Sequence, residues 1–179
     1  MKRFIDQIVI CPAKSINSSV LISNLTIVCG GQTGVDRASL DSAIKWGISY
    51  RGWCPAGRWA EDGLIDERYE LRMTPTEDPG QRTVWNVRES NGVLIIGSMY
   101  LSAGTNLAHK TAKDLDIPVI HAQLDHEVPL VIKWLKTLDA PIVNIAGPRE
   151  SEDPGIYFKS LLFLDELIAT IKNDDLPSH

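Results

Sequence analysis

Cysteine is scarce in this sequence and never closely spaced. The 179-residue chain has three, Cys11, Cys29 and Cys54, with no C-x-x-C between them. A zinc cage or dithiol redox motif therefore has no basis in the sequence. The odd count fits a reducing cytoplasm better than an oxidising compartment. Positive charge is not in excess either. A formal net charge of -5 argues against bulk nucleic-acid binding, so no nucleic-acid partner is expected. Long apolar runs are missing as well. The N-terminal stretch "MKRFIDQIVICPAKSINSSVLISNL" starts basic, but Asp6, Lys14 and several Ser and Asn interrupt its apolar patches. It is poor as a signal peptide and too short and polar to span a bilayer. Residues 1–24 are read as an N-terminal extension, partly ordered at best, with no membrane partner.

Two common nucleotide signatures are absent. No G-K-[ST] occurs, so there is no Walker P-loop. The first glycine of a G-x-G-x-x-G dinucleotide fingerprint would fall on Cys29. The ribose-binding acid expected about 20 residues later is also missing, because that region reads Ser49, Tyr50, Arg51, Gly52, Trp53. A convincing nucleophile–base pair is lacking too. His109, His121 and His126 stand alone, Cys29 reads as a small buried hydrophobe, and Cys54 is the better cysteine for exposure.

What is present is an alternation of short apolar runs with helical periodicity. Strands are expected at Leu25–Gly30, Ile48–Trp53, Gly92–Gly97, Ile117–Ala122 and Ala140–Gly147. "GVLIIG" is apolar on both faces, as in a sheet covered on both sides. Helices are expected from about Gly34 to Trp46, Pro79 to Ser90, along the Leu107–Leu115 stripe, along Leu130–Leu138, and from Pro154 into the Leu161–Ile171 stripe. The pattern implies an α/β fold. It would be a doubly wound, mainly parallel Rossmann-like sheet of about five strands with helices on both faces. One domain, residues 25–172, followed by a tail of 173–179, accounts for the length. A long irregular stretch, residues 54–80, carries Trp59, Ile65, Tyr69 and Leu71, which argues against disorder.

Ligands of such sheets sit beyond the carboxyl ends of the strands. Four segments there can carry chemistry. The first is Gly30, Gly31, Gln32, Thr33 and Gly34. Glycines at a strand-to-helix turn let a phosphate approach the backbone, and the helix start supplies free N–H groups. The bland alternative is a tight turn that binds nothing. Asp36 is favoured by the helix dipole alone but would repel an anion unless paired, and Arg37 either offsets it or touches the anion. The second is Ser102, Ala103, Gly104, Thr105 and Asn106, either a second anion-facing helix start or a serine-capped helix. The third is "NIAGPRESEDPGIYF", where Gly147 and Arg149 follow a strand and Glu150 is adjacent. The fourth is "WCPAGRWAEDG". Its Trp53, Trp59, Arg58, Glu61 and Asp62 can wall a planar ligand and hold its polar edge; packing is the competing reading for the tryptophans.

"GGQTGVDRASLDSAI", "GWCPAGRWAEDG", "ERYELRMTP", "QRTVWNVRESNGVLII", "GTNLA" and "NIAGPRESEDPGIY" together resemble the molybdenum-carrier family. That family lies within the Rossmann-like superfamily of lysine-decarboxylase-like (LOG) proteins. The resemblance covers about Leu25 to Ile171. It implies frequent dimers or higher oligomers, such as tetramers, and a small anionic ligand; with two glycine-rich helix starts, Arg149 and no catalytic pair, a binding protein is expected, with an enzyme acting on a nucleotide and an oligomeric nucleotide-sensing module as the alternatives. The ligand would be molybdenum cofactor, a pterin with a phosphate tail whose metal arrives with it, or alternatively a nucleotide. The phosphate contacts it implies are Gly31, Gln32, Thr33, Gly34, Gly104 and Thr105, with Arg149 beyond them. No direct protein ligands to a metal are visible. LOG enzymes that cleave nucleoside monophosphates carry P-G-G-x-G-T-x-x-E. Here the glutamate position holds Ala108, so that activity is not expected from this motif; Glu61, Asp62 or Glu150 are the acids left to substitute.

Overall fold

A computed structural model of the chain describes residues 18–97, 102–124 and 127–174. The central sheet has five strands: β1 (Thr26–Val28), β2 (Ser49–Arg51), β7 (Gly92–Ile96), β8 (Val119–Ala122) and β9 (Ile142–Ala146). All neighbouring strands are parallel, in the order β2-β1-β9-β7-β8. The helices are α1 (Ser18–Asn24), α2 (Val35–Trp46), α3 (Pro79–Arg88), α4 (Ala103–Asp114), α5 (Val128–Leu135) and α6 (Ile156–Asn173). This is the doubly wound α/β sheet expected from the alternation.

Its strand order has a specific form. Numbered from β9, the strands read 3-2-1-4-5, the order of the first five strands of a dinucleotide-binding sheet. The chain is thus that fold with its strands cyclically shifted, the innermost strand arriving last. The order reverses between β9 and β7, so their carboxyl ends mark the switch point where a crevice opens.

Burial explains why these segments are strands. All five residues of β7 are buried. Val93 and Ile95 face the smaller core with Val87, Ala108 and Ala112, while Leu94 and Ile96 face the main core. The two faces of one strand therefore serve α3 and α4 on one side and α2, α5 and α6 on the other. Residues 18–24 form α1, whose Leu21 is fully buried in the main core.

The expected second strand divides at Gly52. A side chain there would meet the Cys29 carbonyl oxygen at 1.9 Å. Beyond it, β3 (Trp53–Cys54) leaves the sheet and pairs in parallel with β6 (Arg72–Met73). Between them lies an antiparallel hairpin, β4 (Trp59–Ala60) and β5 (Gly63–Leu64). The long irregular stretch is therefore a small ordered lobe, anchored by Ile65, Tyr69 and Leu71 in the main core. Cys54 is buried rather than exposed, because β3 turns inward there. Burial pushes its thiol pKa up, and that of Cys29 further.

Candidate functional site

A cleft of about 390 Å³ opens at the carboxyl ends of β7 and β9. That volume is within the range of small-molecule sites. Its walls come from the loop after β1, the N-terminus of α3, the N-terminus of α4, the end of β9 and the hairpin.

The loop after β1 has less to offer an anion than its glycines suggest. Asp36 is 6% exposed, and its Oδ2 accepts the N–H groups of Gly30 (3.2 Å) and Gln32 (3.3 Å). The Thr33 N–H donates to Oε1 of Gln32 at 2.9 Å. The N–H of Val35, at the start of α2, donates to the carbonyl of Pro148 at 3.2 Å. The glycines make room for protein groups. A side chain at Gly30 would strike Arg82 at 2.1 Å, and one at Gly34 would strike the Pro148 carbonyl at 2.4 Å. Gly31 lies under Leu71 with φ +75°. A buried carboxylate of the chain itself thus occupies donors that an anion would need.

The N-terminus of α4 is different. Ser102 caps it, its Oγ accepting the Thr105 N–H at 3.3 Å. Around Gly104, the nearest heavy atom of the described residues to an added Cβ would be that same Oγ, 3.7 Å away. Thr105 is 2% exposed and lines the cleft, yet its Oγ1 has no hydrogen-bond partner among the described residues. Facing the same cleft is Arg82 of α3. Its Nη1 pairs with Asp36 Oδ2 at 2.9 Å, whereas its buried Nε is also without a partner. A buried hydroxyl and a buried guanidinium N–H left unpaired in one cleft are costly unless something accepts from them.

The other expected site residues divide between this cleft and elsewhere. Gln32, Thr33, Gly147 and Arg149 line it. Arg149 also pairs with Glu152 at 3.0 Å. Asn106 is exposed on α4 and does not line the cleft. Arg58 is a structural staple, donating to the carbonyls of Ile65, Asp66, Tyr69 and Leu71 at 2.9–3.1 Å. Asp62 pairs with Arg37 at 3.3 Å. Arg37 also donates to the Gly31 carbonyl. Glu150 accepts the N–H groups of Gly155 and Tyr157 at the start of α6.

Gly34, Arg37, Asp62 and Glu150 line a second, more open depression of about 720 Å³. It is larger than the cleft, but no residue of the central sheet lines it and its charged groups are already matched. Arg37 pairs with Asp62 and Arg68 with Asp41, while Glu150 caps α6. Asp41 also accepts from the hydroxyls of Tyr69 and Tyr157 at 2.8 Å. Burial, then that carboxylate, pushes Tyr157 up to about 12.

Glu61 stands on the wall between the two. Its carboxylate accepts from the hydroxyls of Thr33 and Ser151 and from the Ser151 N–H at 3.1 Å. Burial pushes its pKa up, but those hydrogen bonds, aided by Arg149, outweigh it and leave the pKa lowered. No group of three or more potential metal-ligating side chains occurs among the described residues.

Arg82 is the residue that sequence reasoning missed. It sits in a helix, inside the stretch "QRTVWNVRESNGVLII" that carries the family resemblance, but nothing in that stretch marks it as a binding residue. The available hint was Asp36, an acid at the start of a helix beside a glycine turn, which needed a cation if buried. Nothing in the spacing said that the cation lay 46 positions away.

The fold and the cleft define a Rossmann-like protein with a small-ligand crevice at its switch point. The sequence profile of the "Circularly permutated YpsA SLOG family" matches residues 27–168, and the chain belongs to that family. The cyclic shift of the strand order is the feature that its description names. A solved structure, described as "putative molybdenum carrier protein" from Syntrophus aciditrophicus SB, is similar at 41% identity. The match covers 80% of this chain and 93% of the other, with a TM-score of 0.75. Among curated proteins no sequence matches.

Proposed function

We propose that the chain is a binding protein for a small phosphate-bearing anion held at the carboxyl ends of β7 and β9. The observation that carries this reading is that two residues lining one cleft, Thr105 and Arg82, each keep a buried polar atom, Oγ1 and Nε, with no partner among the described residues. A phosphate oxygen accepts from both, and the helix dipole adds to the attraction. Gln32, Thr33, Gly104, Gly147 and Arg149 surround it. Molybdenum cofactor, carried as cargo, is the first ligand class to test, because the similar solved structure bears a carrier name. A nucleotide shares the chemistry of a phosphate on a planar ring system. The reading includes a cytoplasmic homo-oligomer, a dimer or tetramer, with neither nucleic acid nor membrane as partner. Among the described residues, no helix is long and apolar enough to cross a membrane.

The competing reading is an enzyme that hydrolyses or modifies a nucleotide. Its candidate acids, Glu61, Asp62 and Glu150, line the other depression, and Ala108 lines the cleft at the LOG glutamate position. Binding is therefore the better-supported function. Calorimetry with molybdenum cofactor and a panel of nucleotides tests it. At least one phosphate-bearing compound should bind more tightly than millimolar; failure of all of them overturns the reading.

A further inference from the structure

We propose that Trp59 is the residue that recognises a planar ring in the cleft, with Glu61 as the positioning residue that holds it at the mouth. The ligand class this selects is a flat heterocycle carrying a phosphate, in preference to a sugar phosphate or inorganic phosphate. The inference rests on the reading of the cleft as an anion site and adds to it the other half of the ligand.

The tryptophans around the cleft differ in how they are used. Trp53 and Trp85 stack edge to face at 4.6 Å, and Trp53 Nε1 donates to Glu89 at 2.7 Å. Both are committed to packing. Trp59 lines the cleft and is 56% exposed. A large aromatic left open at the mouth of a polar-ended cleft is a stacking surface without a partner. Its indole lies against Gly57, where an added Cβ would come within 2.6 Å of Trp59 Nε1. Gly57 has φ +75°, a conformation that suits glycine, so the chain keeps a bare backbone shelf beneath the ring.

The hairpin that carries Trp59 is a two-stranded sheet of its own. Such a hairpin is marginal alone. Its cross-strand partner for Trp59 is Leu64, itself mostly exposed. Polar tethers at the tip fix where it stands. Glu61 accepts from Thr33 in the loop after β1 and from Ser151 in the loop after β9. The Glu61 N–H donates to Gln32 Oε1 at 3.0 Å, and Asp62 pairs with Arg37. One carboxylate thus ties the aromatic arm to both loops that flank the crevice. Thr33 is bound from two sides, since it also accepts the Glu150 N–H at 3.2 Å.

The test uses the full chain and two probes, guanosine 5′-monophosphate and ribose 5-phosphate, titrated by calorimetry. Trp59→Ala should weaken the nucleotide roughly tenfold, as loss of one ring stack does, and leave ribose 5-phosphate unchanged. Trp59→Phe should retain most of the nucleotide affinity. Glu61→Ala should weaken the nucleotide alone, by less, and add nothing to Trp59→Ala in the double variant. Fluorine NMR of protein labelled with 5-fluorotryptophan supplies a ligand-free readout. The resonance assigned to Trp59 through Trp59→Phe should shift in Glu61→Ala and return toward its original position in Glu61→Gln. If Trp59→Ala weakens both probes equally, or neither, the ring assignment is overturned while the anion reading stands. If the fluorine resonance of Trp59 ignores Glu61, the positioning role is overturned. If neither probe binds the unaltered protein, this inference is overturned, and the anion reading falls with it only when molybdenum cofactor and the nucleotide panel fail as well.

Discussion

Two strand-to-helix turns face the same cleft, and the chain uses them differently. The turn before α2 has Gly30, Gly31 and Gly34; the turn before α4 has Gly97 at its start, and Gly104 is the second residue of the helix. By glycine content the first is the better phosphate cradle. In the structure Asp36 fills it, taking the N–H groups of Gly30 and Gln32 and pairing with Arg82. Among the described residues, the second has little over Gly104 and a buried Thr105 hydroxyl with no partner. Glycine density records close approach; it does not say whether the approaching atom belongs to a ligand or to the protein.

The comparison can be broken most forcefully at Asp36. Asp36→Ala removes the partner of a buried guanidinium and the acceptor for two backbone donors. Breaking such a pair costs about 3 kcal/mol or more, and denaturant unfolding should show a loss of that order. Asp36→Asn, which keeps an acceptor, should lose less. If both leave stability unchanged, the first turn is not held by this carboxylate.

Next in size is the effect at the second turn on binding. Thr105→Val should weaken a phosphate-bearing ligand about tenfold or more, since a hydrogen bond to a charged group contributes about 1.5–3 kcal/mol. The same change should leave the ligand-free protein as stable as before or slightly more so, because it removes an unsatisfied buried hydroxyl. Thr33→Val should do the reverse, lowering stability through its bonds to Glu61 and Glu150 with a smaller effect on the phosphate. Paired thermal unfolding and calorimetry on the two variants check this. A Thr105→Val protein that is strongly destabilised would contradict the assignment.

The smallest effect concerns pH. The Glu61 pKa is lowered in the folded chain, so its ion contributes stability that is present above the unfolded value. That contribution is lost as pH falls through the lowered folded value. The stability gap between the unaltered protein and Glu61→Gln should therefore be flat from pH 7 down to about 5 and close below the ordinary glutamate pKa of about 4.3. Thermal unfolding at stepped pH measures it; a gap that widens on acidification would contradict the lowered pKa.

The fold was legible because it rests on local pattern. "GVLIIG" reads as a doubly covered strand and becomes β7, buried throughout. The helix stripes likewise mark faces that pack. The cyclic shift was not legible, since strand order depends on which neighbours pair, and no period in the sequence records that. At the site, the segments were found but their internal roles were not. Arg58 looks like an anion partner in sequence, yet four carbonyls of the lobe between β3 and β6 claim it. Asp62 and Glu150 follow the same rule, each engaged by a group distant in sequence or across a turn. Arg82 shows the converse, a functional candidate within a stretch that resembles the family but with nothing local to mark its role. Charged residues near strand ends are identifiable from sequence; which of them remain open depends on long-range contacts.

The central claim is that an anion docks on the turn before α4 and not on the more glycine-rich turn before α2. The most direct measurement is a two-dimensional amide NMR titration of the full chain with guanosine 5′-monophosphate. The account predicts the largest shifts at Gly104 and Thr105 and at the Arg82 Nε–H, with small changes at Gly30 and Gln32, whose N–H groups stay on Asp36. Shifts centred on Gly30 to Gly34, with Gly104 and Thr105 unmoved, would contradict it.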